Sequence, residues 1–279
     1  MPYETILVHV DHSKHAAARI KIAAEMAVEE NAHLIGAAMT GLSRYLYEEN
    51  TIELNRTVIA NHVDFLHQQA DESLAQFEQI ARQAGVLSVE RRLVNDDNQG
   101  GLTLQARYCD LVVLGQTDMD EPSARVISDL PEYVVLNSGR PVLIVPYAGV
   151  FKTVGQRVLV AWDGRMESTR AVSDAIPLLR RASNVAIALF NPSSGADAHG
   201  EQPGADIALF LARHDVKVEV MQQATSIDVG NALLSLAADL NSDLIVMGGY
   251  GHTRFREVLL GGVTKTVLAT MTVPVLMSH

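Results

Sequence analysis

Residues 248–264 read Gly248-Gly249-Tyr250-Gly251-His252-Thr253-Arg254-Phe255-Arg256-Glu257-Val258-Leu259-Leu260-Gly261-Gly262-Val263-Thr264, a segment with glycines at both ends. Backbone without Cβ atoms can bring its N–H groups against the oxygens of a phosphate. At the far end Gly261, Gly262, Val263 and Thr264 open a helix, whose free N–H groups and positive dipole end also favour an anion. The two ends could enclose a phosphate chain between them. The plainer alternative is that these glycines only end a strand and begin a helix. Asp163, at the close of an apolar run, is open to two readings as well: contact with a ligand, or the cap of the next helix, for which Ser168 is also available.

The elements that must position these residues come from an internal repeat. Thr5-Ile6-Leu7-Val8-His9-Val10-Asp11 resembles Arg157-Val158-Leu159-Val160-Ala161-Trp162-Asp163, and Cys109-Asp110-Leu111-Val112-Val113-Leu114-Gly115 resembles Ser242-Asp243-Leu244-Ile245-Val246-Met247-Gly248. Arg140-Pro141-Val142-Leu143-Ile144-Val145 and Val273-Pro274-Val275-Leu276-Met277 close the two halves. The offset is 152 residues at the first landmark and 133 at the later two, so the first half carries 19 additional residues before its fourth strand. Unalternating runs rich in Val, Ile and Leu are the signature of parallel strands buried on both faces. Further strands are expected near 33–39, 86–94, 184–190 and 216–221. Helical spacing covers 14–30, 63–84, 100–108, 168–182, 205–214, 227–240 and 255–270. The pattern predicts two α/β domains, 1–150 and 151–279, each an open, doubly wound, five-stranded parallel sheet. Ligands of such sheets bind beyond the carboxyl ends of the strands, at the switch in strand order. The closing strands, apolar and exposed as edges in isolated domains, are expected to pair and make the halves an intramolecular pseudo-dimer.

Gly248-x2-Gly251-x9-Gly261, after an Asp-Leu-Ile-Val-Met strand and before a Val-Pro-Val-Leu strand, resembles the nucleotide-binding signature of the universal stress protein family. The resemblance extends over both halves, as in a tandem-domain member. It implies a strand order of 3-2-1-4-5 and, in the ATP-binding branch, the pattern G-x2-G-x9-G-(S/T). It also implies phosphate contacts from Gly248, Gly251, Gly261, Gly262, Val263 and Thr264. Asp163 would lie beside the adenine and ribose, with Ala161, Phe190 and Met247 lining the base pocket. The expected ligand is ATP, with ADP and AMP as alternatives and Mg2+ as companion ion. Gly262 departs from the pattern, since the family has Ser or Thr there, and a hydroxyl is missing.

At the equivalent places the first half reads Gly115-Gln116-Thr117-Asp118 and Ser128-Asp129-Leu130-Pro131. Asp118 replaces Gly251, Asp129 replaces Gly262, and Pro131, without an N–H, replaces Thr264. Two carboxylates facing phosphate would cost on the order of several kcal/mol in a partly buried site, so no nucleotide is expected in this degenerate domain. The additional residues enlarge region 41–62, which is read as a lid, a partner surface or a cover over its own core. His9, His12 and His15 are near one another in sequence, but no spaced carboxylate or thiol completes a set, and no metal site is expected. Cys109, ahead of a buried strand, is expected to be core.

Bulk properties narrow the function. The net charge of −11 argues against a nucleic-acid partner. It is uneven, about −10 over residues 1–150 and −1 over 151–279, which makes the second half the less repulsive host for an anion. No apolar run approaches the roughly 20 residues that span a bilayer. One cysteine and an N-terminus without a signal-like core point to a cytoplasmic protein. No catalytic residues are assigned, because neither a Walker lysine nor an evident water-orienting group is present. The function expected is a nucleotide-binding regulator of stress response, with self-association as a further expectation. A slow ATP hydrolase and a non-enzymatic adaptor with a vestigial site are the alternatives.

Overall fold

The structure, a computed structural model, describes residues 2–41, 56–121, 129–192, 202–251 and 262–279, with the backbone alone over 56–60. It divides into two compact units, Pro2–Arg140 and Pro141–His279.

The first unit contains β1 (Thr5–His9), α1 (Ala16–Glu30), β2 (His33–Met39), α2 (Arg56–Ala84), β3 (Ser88–Val94), α3 (Asn98–Ala106), β4 (Leu111–Gly115) and α4 (Leu130–Asn137). Its strands lie in the order β3-β2-β1-β4 and are parallel, with Thr5 opposite His33 and Ile6 opposite Leu111. The central strands β1 and β4 are apolar and buried on both faces, whereas β3 alternates and carries Glu90 and Arg92. Helix α1 ends where Asn31 adopts a left-handed conformation (φ 54°) and donates its N–H to Ala27 and Val28 carbonyls. Helix α3 is capped by the Asp97 carboxylate, which accepts the Gly100 N–H at 2.7 Å. Pro131 sits in the first turn of α4, where its missing N–H removes no helical bond.

The second unit contains β5 (Val142–Val145), β6 (Arg157–Ala161), α5 (Met166–Arg181), β7 (Asn184–Phe190), α6 (Ala205–Ala212), β8 (Glu219–Gln223), α7 (Val229–Asp239), β9 (Leu244–Gly248), α8 (Gly262–Thr270) and β10 (Val275–Ser278). Here β8-β7-β6-β9-β10 run parallel, which is the five-stranded 3-2-1-4-5 order that the resemblance implied. Strand β5 adds to β10 in antiparallel register, Ile144 opposite Val275 and Val142 opposite Met277. The strand expected near 216–221 begins later, at Glu219. Of the helix expected over 255–270, only Gly262–Thr270 lies within the described residues. Region 42–55, most of the enlarged segment, lies outside them.

The aspartate shared by the two repeat landmarks has a structural task. Asp110 accepts the N–H groups of Glu4 and Thr5, each at 2.9 Å. Asp243 accepts those of Gly155, Gln156 and Arg157 and the Thr153 hydroxyl. Each carboxylate ties the entry of its first strand to the entry of its fourth.

In the first unit the fully buried Phe77 of α2 lies against Gly36 of β2, where any Cβ would strike the ring. Phe77→Ala is expected to cost about 3–5 kcal/mol, and Gly36→Val about 1–3 kcal/mol by overpacking. Urea denaturation of the single and double variants should show coupling, with the pair losing less than the singles together.

Candidate functional site

The predicted site residues of the second half gather at the carboxyl ends of parallel strands. Ala161 ends β6 with Asp163 two residues on, Phe190 ends β7, and Met247 and Gly248 end β9. Met247 is buried, while Ala161 and Phe190 are half-buried. A Cβ on Gly248 would lie 2.6 Å from the Ser168 nitrogen and 2.7 Å from the Glu167 carbonyl carbon, so only glycine lets the strand exit past the first turn of α5. The loop that follows is tied down. Gly249 donates its N–H to the Ser278 carbonyl at 2.9 Å, and Tyr250, at φ 60°, donates its N–H to the buried Thr264 hydroxyl at 3.2 Å. Gly251 is covered by α5, its notional Cβ 3.1 Å from Glu167 Oε2. Gly262 opens α8, and among the described residues nothing lies within 4 Å of a Cβ placed there. Val263 follows it in the first turn. Gly261, with His252, Arg254 and Arg256, lies outside the described residues.

Asp163 does not cap α5. The N-cap is Arg165, without a side-chain cap bond, and Ser168 donates its hydroxyl to the Arg165 carbonyl. The Asp163 carboxylate accepts the Arg165 N–H at 3.0 Å on one oxygen, its other oxygen lies 3.8 Å from Arg165 Nε, and its side chain is 57% exposed. The Arg165 side chain bonds the Gly251 carbonyl at 3.1 Å and so links the segments after β6 and β9.

The first unit uses the same strand ends differently. Arg19 of α1, 3% exposed, occupies the space beside Gly115, donates from Nε to the His9 carbonyl at 2.9 Å and pairs with Asp11 at 2.9 Å. Asp11 also accepts the Ser13 N–H and hydroxyl. Burial raises the Asp11 pKa, but Arg19, then His9 and the Ser13 bonds, outweigh it and hold the carboxyl far below its usual range. Asp118, 9% exposed, bonds His15 Nε2 at 3.0 Å and Lys14 Nζ at 2.9 Å, which with the Asp120 N–H hold it well below the usual carboxylate range. Asp129 accepts from Gln99 Nε2 at 2.8 Å. Asp11, Lys14, His15, Arg19 and Asp118 border a cavity of about 820 Å³ whose walls include Met39, Leu66 and Pro131.

Two sequence readings change here. Arg19 was not singled out, although an arginine on the apolar face of α1 is the signal that would have found it. The histidines were read as lacking carboxylates. His9 lies 3.6 Å from its neighbour Asp11 and His12 meets Ser73 Oγ at 2.6 Å, but His15 lies beside both Asp118 and Glu121. Cys109 is buried, its thiol donating to the Ala106 carbonyl and pushed up to about 12 by burial.

Burial lowers the His9 pKa to about 4, with Arg19 adding to the effect and Asp11 opposing it. The unfolded chain takes up this proton near 6.5, the folded chain only near 4, so stability falls as pH drops through that window. Between pH 7.5 and pH 5 the loss from this group is expected to be about 2 kcal/mol. Urea midpoints for His9→Gln should lack that part of the pH dependence.

The universal stress protein family matches residues 2–146 and, a second time, 155–279. Universal stress protein Slr1230 of Synechocystis sp. is 25% identical over 266 residues, 91% of this chain and 85% of that protein. A universal stress protein structure from Archaeoglobus fulgidus DSM 4304 matches with a TM-score of 0.76 at 17% identity, over 98% of this chain and 94% of that one. A putative universal stress protein from Pseudomonas aeruginosa UCBPP-PA14 matches at 0.59 and 19% identity, over 98% and 92%. The two structures share the fold with this chain. Matched along nearly its whole length and once in each half, the chain belongs to the universal stress protein family, with two family domains in tandem.

Proposed function

We propose that this protein is a regulator that responds to adenine-nucleotide occupancy and holds one ATP per chain, at the strand ends of its second half. The observation that carries the reading is the exit of β9, where Gly248 passes the α5 backbone with no room for a Cβ and the Tyr250 amide is anchored to Thr264 at the start of α8. The start of α8 is tied to that exit through Thr264, and a helix N-terminus beside a glycine turn suits a phosphate chain. Asp163, uncommitted to a cap, is the acceptor for ribose or base. Ala161, Phe190 and Met247 would line the base, and Gly251, Gly261, Gly262 and Val263 would complete the phosphate loop. Mg2+ would come with the triphosphate, held mainly by phosphate oxygens and water, since Gly262 brings no hydroxyl. In the first half the same acceptor, Asp11, is already neutralised by Arg19, and Asp118 stands where phosphate would lie.

Binding needs only N–H donors and a helix end, whereas hydrolysis needs a positioned water and stabilisation of developing charge. The protein therefore acts by occupancy, in a cytoplasmic setting, and not by turnover.

Isothermal titration with ATP is expected to return one site per chain. Gly251→Asp should abolish it by importing the first half's carboxylate, and Asp118→Gly should create no second site while Asp129, Pro131 and Arg19 remain. Two equivalent sites, or none, would refute the reading.

Bound ATP should persist for many minutes, with turnover far below the roughly 1–100 s⁻¹ of kinases. A steady-state rate in that range, lost in Gly261→Asp, would establish the enzyme instead. Absence of both binding and turnover would establish the adaptor.

A further inference from the structure

The loop that replaced the glycines in the first half assembles a second set of groups. One ring nitrogen of His15 and one carboxylate oxygen each of Asp118 and Glu121 lie within 4.8 Å of one another. His15 comes from the start of α1, and the carboxylates from the loop after β4, 103 residues later in the case of Asp118. His15 Nε2 is 3.0 Å from Asp118 Oδ2 and 4.0 Å from Glu121 Oε1. Ligand atoms about 2.1 Å from a tetrahedral ion lie roughly 3.4 Å apart, a spacing that these two distances straddle.

Two features set the cluster apart from an exposed ion-pair group. Both carboxylates are withdrawn from water, with side-chain exposures of 8% for Asp118 and 16% for Glu121, so their charge requires a cation. A cation is in place in the form of Lys14 Nζ, 2.9 Å from the same Asp118 oxygen that meets His15, on a side chain 62% exposed. An ammonium reaching in from solvent on a flexible stem can leave as easily as it came. The cavity of about 820 Å³ beside these groups leaves room for further ligands on an ion.

We propose that His15, Asp118 and Glu121 form a divalent transition-metal site of zinc type, with its remaining coordination open to the cavity, and that the ion and the Lys14 ammonium exclude one another. An imidazole with two carboxylates suits Zn2+ and its borderline neighbours better than Mg2+ or Ca2+, which favour oxygen ligands throughout. The carboxylates that bar phosphate from this half then have a use, which is to hold a cation. The site is independent of the nucleotide reading of the second half.

The test is titration of the full chain, freed of metal by a chelator, with Zn2+ followed by calorimetry and with Co2+ followed by visible absorption. One Zn2+ per chain in the micromolar range or tighter is expected, with a Co2+ d–d band showing nitrogen and oxygen ligation. His15→Gln and Glu121→Gln should each weaken Zn2+ at least about tenfold and remove the band. His12→Gln, in the same cavity, should not. Lys14→Met removes the competing ammonium and should tighten Zn2+ several-fold, a gain that no folding defect produces. ATP binding should be the same in all four variants. Lack of Zn2+ binding by the unaltered chain, equal affinity in His15→Gln, or weaker binding in Lys14→Met would each overturn the site.

Discussion

Each half of this protein turns on the glycine that ends its fourth strand. Gly248 and Gly115 occupy the same place in the repeat, and a Cβ would meet a close neighbour at each, but the neighbours differ. Beside Gly248 the obstacle is backbone, the first turn of α5 at Glu167 and Ser168. Beside Gly115 it is the guanidinium of Arg19. At the position equivalent to Arg19, offset by 152, the second half has Ala171, fully buried. A methyl group there lets the helix close against the strand exit. An arginine fills that space with charge instead.

A buried guanidinium cannot stand alone, because removing an ion from water costs several kcal/mol unless a partner compensates. Asp11 is that partner. In taking the role it ceases to be a free acceptor at the strand end, while its counterpart Asp163 remains more than half exposed. The same charge pair reaches His9, whose burial beside Arg19 keeps the imidazole neutral at pH 7. Arg19 thus lowers the pKa of Asp11 and adds to the larger effect of burial at His9. The loop after β4 differs as well: Asp118 stands where the second half has Gly251 and is paired with Lys14 and His15.

The repeat was legible because its signal lies in continuous stretches. Apolar runs marked the strands, and the aspartate of each second landmark turned out to tie two strand entries together, a local reason for its recurrence. Helix boundaries were less legible. Helix α2 extends back to Arg56, beyond the expected start at 63, and α5 runs on both sides of Pro177. The candidate site divided along the same line. The glycines were read from their spacing in one segment, and Asp163 from its place at the end of the first strand run and the resemblance. Arg19 against Gly115, and His15 against Asp118 and Glu121, join segments about a hundred residues apart, and nothing in either segment alone announces the partner.

The division of labour along the strands explains how two halves with one fold came to present such different ends. The Asp110 and Asp243 ties lie at the strand entries, and the apolar burial runs through the strand middles. The groups that differ, Arg19 against Ala171, Asp118 against Gly251 and Pro131 against Thr264, cluster at the strand exits. Substitution there leaves the entries and the middles intact. The constraint at the exit of the first half is electrostatic: having filled that place with the buried Arg19, it must balance the charge with a carboxylate, whereas the second half, with Ala171 there, has no such charge to balance. Asp11 meets that charge, and Asp118, paired with Lys14 and His15, adds a second carboxylate at the same end of the sheet.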